Sequence, residues 1–539
     1  QAPLDLPALL EKARALQTEV DAFAVSGYFS PFNPAHEEEA YRALTEATGL
    51  PVVLGHQLSS RLNSVQRATT ATLNASLLAI LHDFVDAMRR ALDERGVTAP
   101  LMVMRGDGAL MDAAVAGRRP VETVHSGPAA SAIGGQVLAG REGGVIVDIG
   151  GTTTDIAVVD GGRVMVREEG TTVGPYSTAV RAASVHSIGL GGDSLIGLDA
   201  ENRLTVGPAR VVPLSLLAHN HPSAAKYLRH VHTRLHRRPS PDLIEFWFLQ
   251  REPRRPPKEK RAEQVLALLR EGPLPLPEIL ERLGIIHPLQ FGGQALIEQE
   301  IIGRAALTPT DLLHLTGDYA PWDADAARAA AGVMARLSGL STADMAAQVA
   351  TLITERITAE IVTFLSGHTL DRARGYSPRD LGAWLFEESL YRRHPYLGAK
   401  ISLKIPIIGI GAPAAIFLPR VAEVLDTELV LPPHYPVANA VGAVAGSVMV
   451  NREAWIFPRM RGVHIAGYYA RIDSDRRLFG TLEEALTHAR QSLAEAVAAA
   501  ARRAGTDEPH LQFEQLPDGA DSYRLRATAI GNPRLDKAP

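Results

Sequence analysis

Apolar positions along the chain fall into two rhythms that alternate repeatedly, and their order predicts a layered α/β protein. Helical spacing runs through residues 6–20 and a two-residue alternation through 23–29. Ser30-Pro-Phe-Asn-Pro34 then breaks the chain before a second helix from His36. A short strand at 51–55 leads to a long helix over 65–95. Its Leu73, Leu77, Leu81, Phe84, Met88 and Leu92 recur at three- to four-residue steps and predict one buried face. A strand at 101–104 stops in Arg105-Gly-Asp-Gly108, and a helix follows Ser126-Gly-Pro128. Residues 145–149 and 154–159 are two apolar runs around a Gly150-Gly-Thr-Thr-Thr154 tip, joined through Asp160-Gly-Gly162 to a third strand at 163–167. Hairpin-linked neighbours imply antiparallel pairing beside parallel, so the sheet is expected to be mixed. Helices are predicted within 324–369. A buried strand at 405–410 enters Gly411-Ala-Pro413, followed by a helix to Leu425, a strand at 428–431 and a small-residue helix at 437–450. The tail from Asn451 carries strands and a helix opening on Thr481-Leu-Glu-Glu484, a capping-box pattern.

One stretch interrupts this alternation. Residues 212–257 hold five histidines, His219, His221, His230, His232 and His236, among many arginines and prolines. From Lys258 come short helices at 258–270, 275–283 and 289–302 and then a small hairpin, the order of a winged helix-turn-helix. Arg254, Arg255, Lys258, Lys260 and Arg261 give the first helix a basic start. The would-be recognition helix, however, carries Glu298 and Glu300, with only Gln290, Gln294 and Gln299 as base readers. That acidity opposes phosphate contact, so nucleic-acid binding ranks below a docking role for a subunit or substrate. His219 and His221 lack helical spacing. His232 and His236 stand four apart with no carboxylate cluster, so a solvated helix face is favoured over a zinc site.

At 539 residues the chain exceeds what one core usually serves. A net charge of -5 gives no global attraction for nucleic acid or anionic lipid, and any such binding needs a local patch. The absence of cysteine removes disulfides, thiolate metal sites and a cysteine nucleophile, and fits a reducing cytosol. The apolar run at 405–418 is too short to span a bilayer and is broken by Gly409, Gly411 and Pro413, so a cytoplasmic, membrane-free protein is expected.

Chemistry concentrates at the 148–155 hairpin. Gly150 and Gly151 let backbone approach an anion, Thr152 and Thr153 add neutral donors, and Asp148 and Asp155 at the shoulders can hold a hydrated divalent cation. A plain polar turn remains open for the hairpin taken alone. Two further glycine-rich features follow, Gly189-Leu-Gly-Gly-Asp193 and Gly409-Ile-Gly-Ala-Pro413, and together the three suit a nucleotide: donors and a metal for the phosphates, a flat slot for adenosine. No G-x-G-x-x-G follows a strand and opens a helix, which argues against a dinucleotide enzyme.

In this order the segments resemble the actin, heat-shock-ATPase and sugar-kinase superfamily, and within it the hydantoinase A and 5-oxoprolinase family. The resemblance runs in pieces over most of residues 20–450: Ser26-Gly-Tyr-Phe-Ser-Pro-Phe-Asn-Pro-Ala-His36, Arg67-Ala-Thr-Thr-Ala-Thr-Leu-Asn-Ala75, Gly106-Asp-Gly108, Ser126-Gly-Pro128, the 148–155 hairpin, Gly189 to Asp193, Thr308-Pro-Thr-Asp311, Gly409 to Pro413 and Pro432-Pro-His-Tyr-Pro436. It implies RNase-H-like, actin-like ATPase lobes with mixed sheets, an inserted winged-helix-like helical module and a small α+β C-terminal domain. Four segments follow: 1–140 as the remainder of a first lobe, 141–211 plus 308–450 as the second, 212–307 as the insertion and 451–539 as the C-terminal domain.

The resemblance also implies ATP and Mg2+ as cofactors and a cyclic amide or imide as substrate, opened after phosphorylation of its carbonyl oxygen. Asp148, Asp155 and Thr152 are the implied catalytic residues, with Asp148 and Asp155 on the metal. Gly150, Gly151, Thr152 and Thr153 would hold phosphate, Gly191, Gly192 and Asp193 the facing wall, and Gly409, Gly411 and Pro413 the adenosine. Ser126, Asn74 and Asp107 are further substrate-side candidates, although a helix N-cap for Ser126 and a buried helix anchor for Asn74 are at least as good. Three departures stand out. The family's usual first-lobe phosphate hairpin does not precede residue 148, so an N-terminal portion supplied elsewhere, cleaved or on another chain, is expected. Asp193 replaces a frequent glycine, which favours a metal over bare phosphate, and Ala412 replaces another. An oligomer, with or without a hydantoinase B-like subunit, is implied. An activating subunit of a ketone carboxylase and a non-catalytic nucleotide-sensing regulator remain the alternative functions.

Overall fold

The computed structural model describes residues 3–534 apart from 60, 236–239, 254–255, 258, 368–380, 463, 473–474 and 520. His236, Arg254, Arg255 and Lys258 from the basic and histidine-rich stretch therefore lie outside the described residues. The chain divides into two units. Unit 1 comprises residues 1–142, 159–185 and 438–539, and unit 2 comprises 143–158 and 186–437. The expected first-lobe remainder and C-terminal domain both map to unit 1, and the expected insertion maps to unit 2.

Unit 2 is built on a mixed sheet. Its strands are β1 (Gly144–Ile149), β2 (Thr154–Asp160), β3 (Val185–Ile188), β4 (Ile407–Ile410) and β5 (Leu429–Val430), in the order β3-β2-β1-β4-β5. β1 pairs with β4 in parallel, Ile408 opposite Ile146 and Ile410 opposite Asp148, and β4 pairs with β5 in parallel. A strand buried on both faces must be apolar throughout. Val145, Ile146, Val147, Ile407 and Ile408 are accordingly at most 1% exposed. The core that holds Val145, Val147 and Ile407 extends into the helices Ala324–Ser338, Thr342–Ser366 and Ala414–Val424.

The histidine-rich segment contributes to this same core. Leu214, Leu217, Ala224, Leu228 and Phe246 are buried with the sheet residues. His219 and His232 fall on short helices, and among the described residues no cluster of three metal-ligating side chains occurs. Residues 247–302 have a second core of their own, around Trp247, Val265, Leu266, Ile279, Leu280 and Ile302. Two expectations change here. The third helix spans only Gly293–Glu298, and the strand Ile302–Ala306 does not open a hairpin with later chain. It pairs backwards, antiparallel to Phe246–Leu249 and parallel to Val212–Pro213.

Unit 1 contains a long antiparallel sheet made by β6 (Val448–Arg461), β7 (His464–Ile472), β8 (Asp475–Phe479), β9 (His510–Pro517) and β10 (Tyr523–Gly531), ordered β8-β7-β6-β10-β9. The two-residue period splits it cleanly. Ala454, Ile456, Ala470, Leu525 and Ala527 face the helix Leu482–Ala504, whose capping box at Thr481 and Glu484 matches expectation. Residues of the opposite parity, including Trp455, Arg471 and Arg524, occupy the other face.

The long helix forms over Ser64–Asp93, close to its expected limits. Its apolar stripe is not buried as expected: Phe84 is 55% and Met88 37% exposed, and the buried side chains are Arg67, Thr70, Ala71, Asn74 and Val85. Periodicity shows which residues share a face, whereas burial requires a partner for that face. Among the described residues no helix is long and apolar enough to cross a membrane.

Candidate functional site

The tip between β1 and β2 is where the three glycine-rich segments meet, all within unit 2. Gly192 N donates to Gly150 O at 3.0 Å and Asp193 N to Gly151 O at 2.7 Å, fastening the 189–194 turn along the hairpin. Thr154 Oγ1 donates to Leu190 O at 2.8 Å from the other side. The loop after β4 closes on the same point. A Cβ on Gly411 would overlap Ile149 O and lie 2.6 Å from Asp148 Oδ1, and Pro413 lies within 4 Å of where a Gly192 Cβ would stand. Asp148, Gly150, Gly151, Gly191, Gly192, Asp193, Gly411 and Pro413 are thus one cluster.

These contacts revise the reason for the glycines. Gly150 N donates to Thr153 O, Gly191 N to Ser194 Oγ, Gly192 N to Gly150 O and Gly411 N to Tyr435 O. Those amides are engaged inside the protein and are not turned toward a ligand. What the glycines permit is backbone against backbone: a Gly191 Cβ would stand 2.6 Å from Gly150 O. Gly409 is different again, lying in β4 under Leu418 and Leu431, where its missing side chain makes room for apolar packing. The groups left open at the tip are Gly151 and Thr152, both exposed, with Thr153 and Asp155 half-buried behind them. Thr153 Oγ1 and Asp155 Oδ2 are 3.4 Å apart.

Asp193 faces the tip. Its Oδ2 lies 2.8 Å from where a Gly151 Cβ would be, and Arg210 Nη2 pairs with it at 3.4 Å. The site therefore presents Asp148, Asp155 and Asp193 around a hydroxyl-bearing turn, with one arginine opposing the third carboxylate.

Two residues outside the expected site set, Thr310 and Asp311, support it. Thr310 clamps the turn from outside: its N and Oγ1 both donate to Gly192 O, at 2.9 and 2.8 Å. Asp311, fully buried, accepts at Oδ1 from Ser215 N and Oγ, and at Oδ2 from Leu214 N, Thr308 N and Thr308 Oγ1. Burial pushes its carboxyl up, and the bonds from Ser215, Leu214 and Thr308 act against that rise. The signal available was the Thr308-x-x-Asp311 capping box, which forms as such at the helix Pro309–Thr316.

The other candidates lie in unit 1 and are structurally engaged. Asn74 is fully buried, donating to Arg118 O and accepting from Val121 N, which makes it a helix anchor. Asp107 accepts from Ala109 N and pairs with Arg105 at 3.1 Å. Ser126 is the first residue of its helix; the cap position belongs to His125, so the N-cap assignment shifts by one.

The loop geometry carries a test. At φ +83° Gly411 occupies the left-handed region, and a Cβ there also overlaps Ile149 O. Gly411→Ala is expected to destabilise unit 2 by roughly 2–4 kcal/mol. Gly332→Ala, in a helix with open space around it, is expected to stabilise by about 0.5–1 kcal/mol. Urea unfolding of the two variants reads both signs, and equal midpoints would contradict the packing described.

Comparison with known proteins adds the following. Residues 67–219 match the family model described as hydantoinase/oxoprolinase. Over 198 residues the chain is 30% identical to the caprolactamase subunit alpha of Pseudomonas jessenii, covering 36% of this chain and 28% of that one. Over 217 residues it is 28% identical to the acetophenone carboxylase gamma subunit of Aromatoleum aromaticum, covering 38% and 29%. The chain thus matches less than a third of the length of these relatives. Its mixed α/β fold is similar to that of a nucleotide-free acetone carboxylase, with a TM-score of 0.60 and 16% identity, over 100% of this chain and 68% of that one.

Proposed function

Because residues 67–219 match the hydantoinase/oxoprolinase family model, we propose that the chain acts in an ATP-dependent hydrolase that opens a cyclic amide, a hydantoin, 5-oxoproline or related lactam, by way of carbonyl phosphorylation. The observation that carries this reading is the closure of three glycine-rich segments on one hydroxyl-bearing tip. The strand order β3-β2-β1-β4-β5, with parallel strands following a hairpin, supports an RNase-H-like lobe for unit 2. The helix and strand succession at 247–306 supports a winged-helix-like module.

The residues present suit a magnesium nucleotide. Asp148 and Asp155 would hold the ion, since Mg2+ favours one or two carboxylates and completes its shell with water and phosphate oxygens. Thr152 and Thr153 would meet phosphate through their hydroxyls, and Gly150 and Gly151 keep side chains out of its way. Gly191 and Gly192 form the facing wall, where Asp193, steadied by Arg210, sets the charge. Gly411 and Pro413 would border adenosine, and Gly409 shapes the loop from below. Bound ATP supplies the phosphoryl group that turns an inert amide oxygen into a leaving group. Asp155 and Asp148 orient the attacking water.

A second reading, the activating subunit of a ketone carboxylase, is favoured by the similarity to the acetophenone carboxylase gamma subunit. The relatives named as subunits support a partner of the hydantoinase B kind and an oligomeric assembly. A DNA-reading regulator is disfavoured, because Gln290 accepts from Ile286 N and Gln294 donates to Glu298, which occupies two of the three candidate base readers.

Phosphate release measured with hydantoin, 5-oxoproline and small lactams, with and without candidate partner subunits, is expected to respond to one cyclic amide. Release that requires a ketone and bicarbonate would establish the second reading instead. ATP binding with no turnover under any condition would remove both.

A further inference from the structure

The second face of the unit 1 sheet forms a wall of a cavity of about 1730 Å3. The register sets the wall: Trp455 on β6 stands opposite Arg471 on β7 and opposite Arg524 on β10, so two arginines flank one indole across three strands. From the other side comes Phe32, in the Ser30-Pro-Phe-Asn-Pro34 loop that the nucleotide reading leaves without a role. The Arg471 guanidinium lies between the two rings, 4.0 Å from the Phe32 centroid and 4.7 Å from that of Trp455.

Arg471 is only 7% exposed, and its Nε and Nη1 have no hydrogen-bond partner among the described residues. Its neighbours in the cavity are compensated. Arg105 pairs with Asp107 and Glu122, Arg181 with Glu168, Arg524 with Glu453, and Arg526 with Glu453 and Glu168. Arg471 has no carboxylate partner among the described residues. Burial alone depresses its ionisation, and an arginine does not solve that by losing its proton. A buried cation without a countercharge is costly, and two aromatic faces cover only its planes, leaving the in-plane donors unsatisfied. The surroundings add to the same sign: ten arginines line the cavity against five carboxylates.

We propose that this cavity binds a small organic oxyanion, a carboxylate or a phosphate ester, whose charged group meets the edge of the Arg471 guanidinium between Phe32 and Trp455. A planar fork of donors suits a two-oxygen acceptor, and the flanking rings and the size of the cavity suit an organic body attached to it. The site belongs to unit 1, whereas the glycine-rich cradle belongs to unit 2, so the proposal does not depend on the nucleotide reading.

The test is calorimetric and thermal titration of the full chain in low-chloride buffer with succinate, benzoate, glycerol phosphate and inorganic phosphate. Wild-type protein is expected to bind at least one organic probe with a Kd below about 1 mM and to gain thermal stability from it. Binding by the carboxylates alone or by glycerol phosphate alone assigns the class. Arg471→Leu is expected to weaken that binding about tenfold or more while unfolding at an equal or higher temperature without ligand, because it removes an uncompensated charge. Arg471→Lys keeps the charge, loses the fork and is expected to fall between the two, which secures the comparison if the leucine variant does not fold. No binding of any organic probe to wild-type protein, or unchanged affinity in the folded variants, overturns the proposal.

Discussion

Asp148→Ala is expected to lower the proposed nucleotide-dependent phosphate release by roughly 100-fold or more, with the unfolding midpoint little altered. Asp148 sits at the C-terminal end of β1, directly opposite Ile410, and its Oδ1 lies 2.6 Å from where a Gly411 Cβ would be, so it stands where hairpin and closing loop meet. A carboxylate holding a metal against transferring phosphate acts on developing charge, and removing such a group typically costs two to three orders of magnitude, about 3–4 kcal/mol. Its share of stability is smaller. The side chain is half-buried, and the strand beneath is held by Val147 and Ile149, which remain. Asp148→Asn keeps the shape and removes the charge, so an equal loss in both variants points to charge. Phosphate release and thermal unfolding measured on one preparation separate the effects; unchanged turnover in the alanine variant would refute the assignment.

Asp311→Ala is the largest expected loss of stability, roughly 3–5 kcal/mol. The carboxylate is the common acceptor for Leu214 N, Ser215 N and Thr308 N as well as two hydroxyls, and alanine leaves three buried backbone donors without a partner. The hydroxyls of Ser215 and Thr308 can rotate elsewhere, whereas the amides cannot. Asparagine is a poor substitute, because either orientation aims an NH2 at a backbone N–H. Asp311→Asn is therefore expected to lose stability too, by less than alanine. Denaturant midpoints of unit 2 read both; a shift under about 1 kcal/mol for alanine would show that the network is not what holds the 308–316 helix. Through Thr310, that helix also supports Gly192, so the same variant is expected to loosen the candidate site.

The sequence was most legible where chemistry is local. Two apolar runs around Gly150-Gly-Thr-Thr-Thr154 are enough to place a hairpin, and the capping box at Thr481 announces a helix start because both partners lie within one turn. It was least legible where partners are distant. Nothing near Ile302 indicates that its strand turns back to Phe246–Leu249 and Val212–Pro213, since pairing is chosen by the sheet and not by the strand. The stripe through Phe84 and Met88 has the right period for a core, yet both side chains stay exposed against the described residues. Spacing alone does not tell an amide offered to a ligand from one bonded within the protein, as Gly150 N is to Thr153 O. Trp455, Arg471 and Arg524 are scattered in sequence and become one row only through the register of β6, β7 and β10.

The backward pairing of the strand Ile302–Ala306 has an evolutionary corollary. Leu249 and Ile302 are direct cross-strand neighbours, so the chain departs for residues 250–301 and returns to the same rung of one ladder. Such a doorway imposes no length on what passes through it: material can be gained, shortened or exchanged there while the residues that shape the glycine-rich cradle keep their positions.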